Sequence, residues 1–205
     1  TGEEHRIPTE EELQSLLQLV DASSLQYDAS TQTLTLPEGV EIDFGGIAKG
    51  YTSQRVAQFM QEYDINSAIL NLGGNVQLVG AKPDGSSWKV AIKSPDEQEE
   101  YLGVLYAQNK AIITSGGYER YFEENGRKCH HIIDPKTGMP AYNGLQSVTI
   151  VSEDGTLADG LSTALYVMGT ESAVKFWQNH NDEFDAILYT DDGTLYVTEG
   201  IADTF

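Results

Sequence analysis

YERYFEENGRKCHHIID, residues 118–134, reads as two short strands around Asn125-Gly126. Asn-Gly suits the type I′ turn, whose two central residues both need positive φ and whose twist matches that of the flanking strands. The segment therefore folds back on itself as an antiparallel pair. The same pattern recurs on both sides. SAILNL (67–72) and VQLVGA (76–81) make a hairpin about Gly73 and Gly74, and DAILYTDDGTLYVT closes the chain as a hairpin about Asp192-Gly193. TLTL (33–36), GVEIDF (39–44), WKVAIK (88–93), LGVLYA (102–107), KAIITS (110–115) and LQSVTIVS (145–152) read as further strands.

Helical patterns stand apart from these strands. Thr9 with Glu12 forms a capping box ahead of Leu13, Leu16, Leu17 and Val20 at helical spacing. Residues 47–62, about 156–168 and 171–180 read as helices. Strands in hairpins and helices in separate runs predict an α+β fold: antiparallel, hairpin-rich sheets with packed helices, in one domain over 1–205.

The 205 residues are 40% hydrophobic, enough for a sizeable core, and carry a formal net charge of -20. That charge repels nucleic acid phosphates and anionic lipid, which argues against a general nucleic acid or membrane-surface binder. An anionic ligand needs a local basic pocket or a metal ion. Cys129 is the single cysteine, so an internal disulfide is excluded while the compartment stays open. No stretch approaches the ~20 apolar residues of a membrane helix. The start, TGEEHRIPTEEELQSLL, has neither an initiator Met nor an apolar signal segment and reads as a processed or shortened chain. SPDEQEE (94–100) reads as an acidic surface loop.

Five motifs offer chemistry, each beside a plainer reading. In IDFGGIAKGY (42–51) two glycines follow a strand and open a helix, as an anion site or as an ordinary tight turn; the Gly-Lys-Ser/Thr ending of a phosphate loop is missing. In NLGGN (71–75) the glycines serve a turn, and either Asn could touch a ligand. In ITSGGYERYF (113–122) Ser115-Gly116-Gly117 lets a ligand approach the backbone, with Tyr118 and Arg120 on one strand face; an ordinary sheet surface has the same pattern. Arg120, Arg127, Lys128 and Lys136 surround His130 and His131 in a very acidic chain, which suits phosphate chemistry or a solvated basic hairpin. Strand alternation turns one of the two histidines inward and the other outward. In LADGLSTALYVMG (157–169) Asp159 and Thr163 share a helix face with Ser162 within reach, an oxygen-only set that suits Mg²⁺ or simple helix capping.

In their order, DFGGIAKGY, NLGGN, TSGGYER, HHIIDPKTGMP and ADGLSTALYVMG closely resemble the ApbE family of flavin transferases, from about residue 40 to 170. The resemblance implies an ApbE-like, T-fold-like domain that binds FAD and Mg²⁺. It implies transfer of FMN from FAD to a Thr or Ser hydroxyl of an acceptor protein, with release of AMP. Some members hydrolyse FAD to FMN and AMP instead, and a non-catalytic flavin-binding module is a third reading. The metal ligands implied are the Ala48 carbonyl, Asp159 and Thr163; some relatives carry a second acid where this chain has Ser162. The catalytic histidine falls on His131, three before Asp134, as the inward base that takes the attacking hydroxyl's proton. His130 is then structural or solvent-facing. Flavin contacts fall on or near Gly45, Tyr51, Ser115, Gly116, Tyr118 and Ile132. N–H groups at 45–48 are expected to take phosphate oxygens. By the same resemblance the chain lacks roughly the family's N-terminal third, and the full-length protein is expected outside the cytoplasm, lipid-anchored to the membrane.

Overall fold

A computed structural model describes residues 6–96 and 98–205; residues 1–5 and Glu97 of the acidic loop lie outside the described residues. Helix α1 (Glu10–Leu17) starts on the predicted capping box, with the Glu12 N–H donating to Thr9 Oγ1 and the Thr9 N–H to the Glu12 carboxylate. The hairpin β1 (Gln26–Asp28) and β2 (Thr33–Thr35) follows, then α2 (Ala48–Glu62). Strands β3 (Ala68–Leu72), β4 (Asn75–Val79), β5 (Trp88–Lys93), β6 (Tyr101–Ala107), β7 (Ala111–Gly116), β8 (Tyr121–Glu124), β9 (Arg127–His130) and β10 (Leu145–Ser152) come next. Helices α3 (Gly155–Met168) and α4 (Thr170–Asn179) precede the closing pair β11 (Asp185–Thr190) and β12 (Leu195–Val197).

Six strands form one antiparallel sheet in the order β12-β11-β10-β7-β4-β3. Strand alternation gives it two apolar faces. Ala111, Ile113, Val148, Ile150, Ala186 and Leu188 pack on Ala158, Leu165 and Tyr166 of α3 and Ala173 of α4. On the other face, Leu78, Ile112, Val151 and Ile187 meet Val90, Ile92 and Leu105 of the β5–β6 hairpin, with Ile201 and Phe205 against them. The molecule is thus helices, sheet and hairpin in three layers, an α+β architecture as the hairpin pattern requires.

Helices α2 and α3 meet at their first turns. A Cβ on Gly50 would lie 2.1 Å from the Gly155 carbonyl oxygen and 2.6 Å from the Asp159 Cβ. A Cβ on Gly155 would lie 2.7 Å from Gln77 Oε1 of β4. Gly50 is therefore the condition for this approach, and a Cβ on Gly155 would stand 3.0 Å from the Gly50 carbonyl oxygen. Asp154 caps α3 by accepting the Leu157 N–H, and Gln54 of α2 accepts from the Thr156 N–H and hydroxyl.

Three local expectations are corrected. Residues 39–44 alternate like a strand but form none, because no neighbouring strand lies beside them to complete a ladder among the described residues. Tyr118 and Arg120 sit in the turn after β7, so alternation does not put them on one face. The histidine pair is reversed. Cys129 and His130 are both buried as β9 ends, and His131 just beyond it is exposed. The His130 ring lies edge-on to Tyr142 and Tyr166, with centroids at 4.9 and 5.7 Å, and its Nε2 lies 3.0 Å from the Ala141 carbonyl. Packing of these rings overrides the period of two.

Two measurements test this account. Gly50→Ala forces the α2–α3 crossing apart and should lower the unfolding free energy in urea by about 1–3 kcal/mol or more, the range for overpacked sites. His130 is held below its ordinary value, first by burial, then by the charges of His131 and Lys128, against the hydrogen bond to Ala141. Below about pH 6.5 the unfolded chain takes a proton that folded His130 refuses, so stability falls as pH drops through that value. His130→Gln should show a smaller loss of stability between about pH 7 and 5.5 than the parent chain, and an unchanged slope would contradict the assignment.

Candidate active site

Asp159 lies one turn into α3 and is 8% exposed. Its Oδ2 accepts the Gly50 N–H at 2.7 Å. Gly50 is in the first turn of α2, where N–H groups have no partner within the helix. The residue before that helix, Ile47, supplies no side-chain cap. Asp159 thus caps α2 from another helix. Burial pushes its carboxyl above the ordinary range, and the Gly50 N–H and the Lys49 charge offset only part of this. A carboxylate so placed favours a cation beside it.

Around it the structure gathers hydroxyls. Ser162, fully buried, donates from Oγ to the Asp159 carbonyl at 2.9 Å. Ser115, on β7, holds its Oγ 2.8 Å from Ser162 Oγ and 3.1 Å from Thr163 Oγ1. Thr163 faces a cleft of about 930 Å³, also lined by Asp43, Ile47, Asp134, Lys136 and Met168. That volume is in the range of small-molecule sites. Among the described residues no three His, Cys, Asp or Glu side chains form a metal-binding group. What remains is one carboxylate with hydroxyl and carbonyl oxygens, which fits Mg²⁺, an ion that takes one or two carboxylates and keeps several waters.

The other expected residues divide. The Ala48 carbonyl is near this helix start but already accepts the Thr52 hydroxyl at 2.7 Å. Three of the four N–H groups at 45–48 are satisfied internally, Gly45 on Asp43 and Ile47 and Ala48 on the Phe44 carbonyl. They are not a phosphate cradle here, although Gly45 remains exposed at the cleft's edge next to Gly46. Tyr51 is exposed on α2. Gly116 and Gly117 make room for rings of the protein. A Cβ on Gly116 would lie 2.3 Å from Tyr118, and one on Gly117 would lie 2.6 Å from the His130 ring and 2.8 Å from the Tyr166 hydroxyl. Tyr118 is half-buried beside a cavity of about 170 Å³ with His130, Tyr142 and Tyr166. Burial pushes the Tyr118 and Tyr166 hydroxyls up to about 12, so both stay protonated. Ile132 packs its side chain into the helix-side core and its carbonyl accepts the Ala141 N–H.

His131 stands outside the cleft lining, three residues before Asp134, which does line it. Its Nδ1 lies 3.2 Å from the Arg120 carbonyl. A carbonyl only accepts, so Nδ1 donates to it, and of the two ring nitrogens Nε2 is the one left to act as an acceptor. His130 has the opposite tautomer: Nε2 carries the proton to Ala141, and Nδ1 is buried without a partner. Of these two histidines, only His131 is exposed to an incoming hydroxyl.

Lys49 was not singled out by the sequence. Its Nζ lies 3.7 Å from the Cβ position of Gly73, so the DFGGIAKGY helix and the NLGGN turn meet there with a positive charge close to Asp159. A lysine inside a glycine motif was the available signal.

The sequence profile of the ApbE family matches residues 1–188. An FAD:protein FMN transferase of Klebsiella pneumoniae is 35% identical over 188 residues, covering 91% of this chain and 57% of the relative. One from Vibrio cholerae is 35% identical over 91% of this chain and 56% of its own length. Among solved structures, the ApbE protein of Thermotoga maritima superposes with a TM-score of 0.88 at 35% identity, over 95% of this chain and 63% of that one. The flavin transferase ApbE of Vibrio cholerae gives 0.85 at 30%, over 100% and 65%. The chain thus spans less than two thirds of the length of these relatives, in both sequence and structure. With the motifs in order, the fold shared and the profile matched over most of its length, this chain belongs to the ApbE family.

Proposed function

We propose that this chain carries the catalytic end of an FAD:protein FMN transferase. The observation that carries the reading is Asp159, buried, fixed by the Gly50 N–H, and one helical turn from Thr163 at the mouth of the large cleft. Relatives named for the activity support it. In this reading a Ser or Thr hydroxyl of an acceptor protein attacks the phosphorus on the FMN side of the FAD diphosphate. The bridging P–O bond breaks, AMP leaves with the electron pair, and a phosphoester joins FMN to the acceptor. His131 Nε2 takes the hydroxyl proton. Asp159 and the Thr163 hydroxyl, with a backbone carbonyl near Ala48, hold Mg²⁺, which when bound polarises a phosphoryl oxygen and offsets the diphosphate charge. Lys49 and Lys136 add positive charge on the diphosphate's approach in a chain of net charge -20. Water in place of the acceptor hydroxyl would give FMN and AMP by the same step.

The test is incubation with FAD and Mg²⁺, with and without a Ser/Thr acceptor peptide, measuring AMP and peptide-bound flavin. AMP together with flavin on the peptide supports transfer. AMP alone in both arms indicates the hydrolase, and FAD binding without AMP leaves a binding module. In the active arm His131→Ala should lose ~10²–10⁴ in rate, the usual cost of a general base, while still binding FAD. His130→Gln should keep most of the rate, and the reverse order would reject the assignment.

Asp159→Asn separates charge from capping. An amide oxygen still accepts the Gly50 N–H, so the fold should be largely kept. Mg²⁺-dependent AMP release should be abolished. Full activity of this variant with Mg²⁺ as the only metal would rule out Asp159 as the ligand.

A further inference from the structure

We infer that Ser115 and Ser162 form a one-way hydroxyl relay that turns the Thr163 proton into the protein and its oxygen lone pairs toward the cleft. Each hydroxyl has one proton to give. Ser162 gives its proton to the Asp159 carbonyl, which can only accept. At 2.8 Å Ser115 must then be the donor to Ser162. With its proton spent there, Ser115 can only accept at its second contact, so Thr163 donates across the 3.1 Å contact. The relay runs Thr163 to Ser115 to Ser162 to the Asp159 carbonyl. Its end is fixed by α3 itself, and its middle member by β7, where Ser115 pairs with Val148 of β10.

The consequence is chemical selectivity. A threonine free to rotate presents a donor as readily as an acceptor, so it serves an anion as well as a cation. Thr163 with its proton held by Ser115 presents only lone pairs to the cleft it lines. That favours a hard cation and disfavours direct contact with a phosphate oxygen. Ser115 is then a positioning residue acting through Thr163, not a flavin contact. Ser162, small and fully buried, serves as the acceptor for Ser115 because its own proton is committed to the Asp159 carbonyl. This inference rests on the reading of Asp159 and Thr163 as metal ligands.

The test measures binding of Mn²⁺, which shares the oxygen-ligand preference of Mg²⁺, by paramagnetic resonance titration of the intact chain without FAD. Ser115→Ala should weaken binding roughly 10–100-fold, the usual cost of losing a partner behind a metal ligand. In a Thr163→Val background Ser115→Ala should add nothing further, because its route is gone. Ser162→Ala should also weaken binding although it leaves Ser115 and Thr163 in place: Ser115 regains a free proton and can turn the Thr163 proton toward the cleft. Thermal midpoints without metal identify any variant that has merely lost its fold, and Ser162→Ala then stands in for Ser115→Ala. If the parent chain binds Mn²⁺ and Asp159→Asn does not, the metal reading holds. Unchanged affinity in Ser115→Ala, or fully additive losses in the double variant, would then overturn the relay alone. Absence of Mn²⁺ binding in the parent chain, or equal binding by Asp159→Asn, would overturn the metal reading and the relay with it.

Discussion

The contact between the Asp159 carboxylate and the Gly50 N–H organises the rest of this structure. It joins residues 109 positions apart and does two jobs with one oxygen. It satisfies an otherwise orphaned donor in the first turn of α2, an interaction worth ~0.5–2 kcal/mol when a side chain caps a helix. It also fixes a buried carboxylate one helical turn from Thr163, which lines the cleft. The contact exists because Gly50 lets the first turns of α2 and α3 touch. Any Cβ at Gly50 would fall inside the Gly155 carbonyl, and one at Gly155 would stand 3.0 Å from the Gly50 carbonyl oxygen. Helix packing and ligand placement are thus the same constraint at this point.

Glycine serves packing elsewhere as well. Gly116 and Gly117 resemble a place for a ligand to approach the backbone, yet protein rings occupy that space. Tyr118 lies over Gly116, and His130 and Tyr166 lie over Gly117. This arrangement buries His130 and shuts in its Nδ1. Burial keeps that ring neutral and its lone pair inaccessible, whereas the neighbouring His131 projects from the end of β9 with Nε2 left to act as an acceptor. Two adjacent histidines therefore differ in tautomer, exposure and capability, and the difference originates in the rings that pack around His130.

The site has a firm inner side and a polar outer one. Asp159, Ser162 and Ser115 are pinned by backbone partners or by each other, and Ser115 is anchored in the middle of a six-stranded sheet. Thr163, Lys136 and Asp134 face the open cleft. Rigid support behind an open rim suits a centre that must present fixed oxygens to a ligand entering from solvent.

Much of the fold was legible in the chain because its cues are local. Asn125 and Gly126 adopt φ of 52° and 73°, as their turn demands, and the hairpins at Gly73-Gly74 and Asp192-Gly193 form where their turn residues stand. The capping box at Thr9 and the i,i+4 placement of Asp159 and Thr163 also follow from short-range geometry, and the order of the motifs pointed to the family. The tertiary structure alone decided the remainder. Residues 39–44 carry a strand's alternation, but a strand needs a neighbour to pair with, and no property of those six residues supplies one. Which histidine turns inward depended on Tyr142 and Tyr166 arriving from elsewhere. The Gly50–Asp159 cap and the Ser115–Ser162–Thr163 cluster join residues 109, 47 and 48 positions apart. Periodicity and turn chemistry reach only a few residues along the chain, so contacts at such separations are settled by how the layers pack.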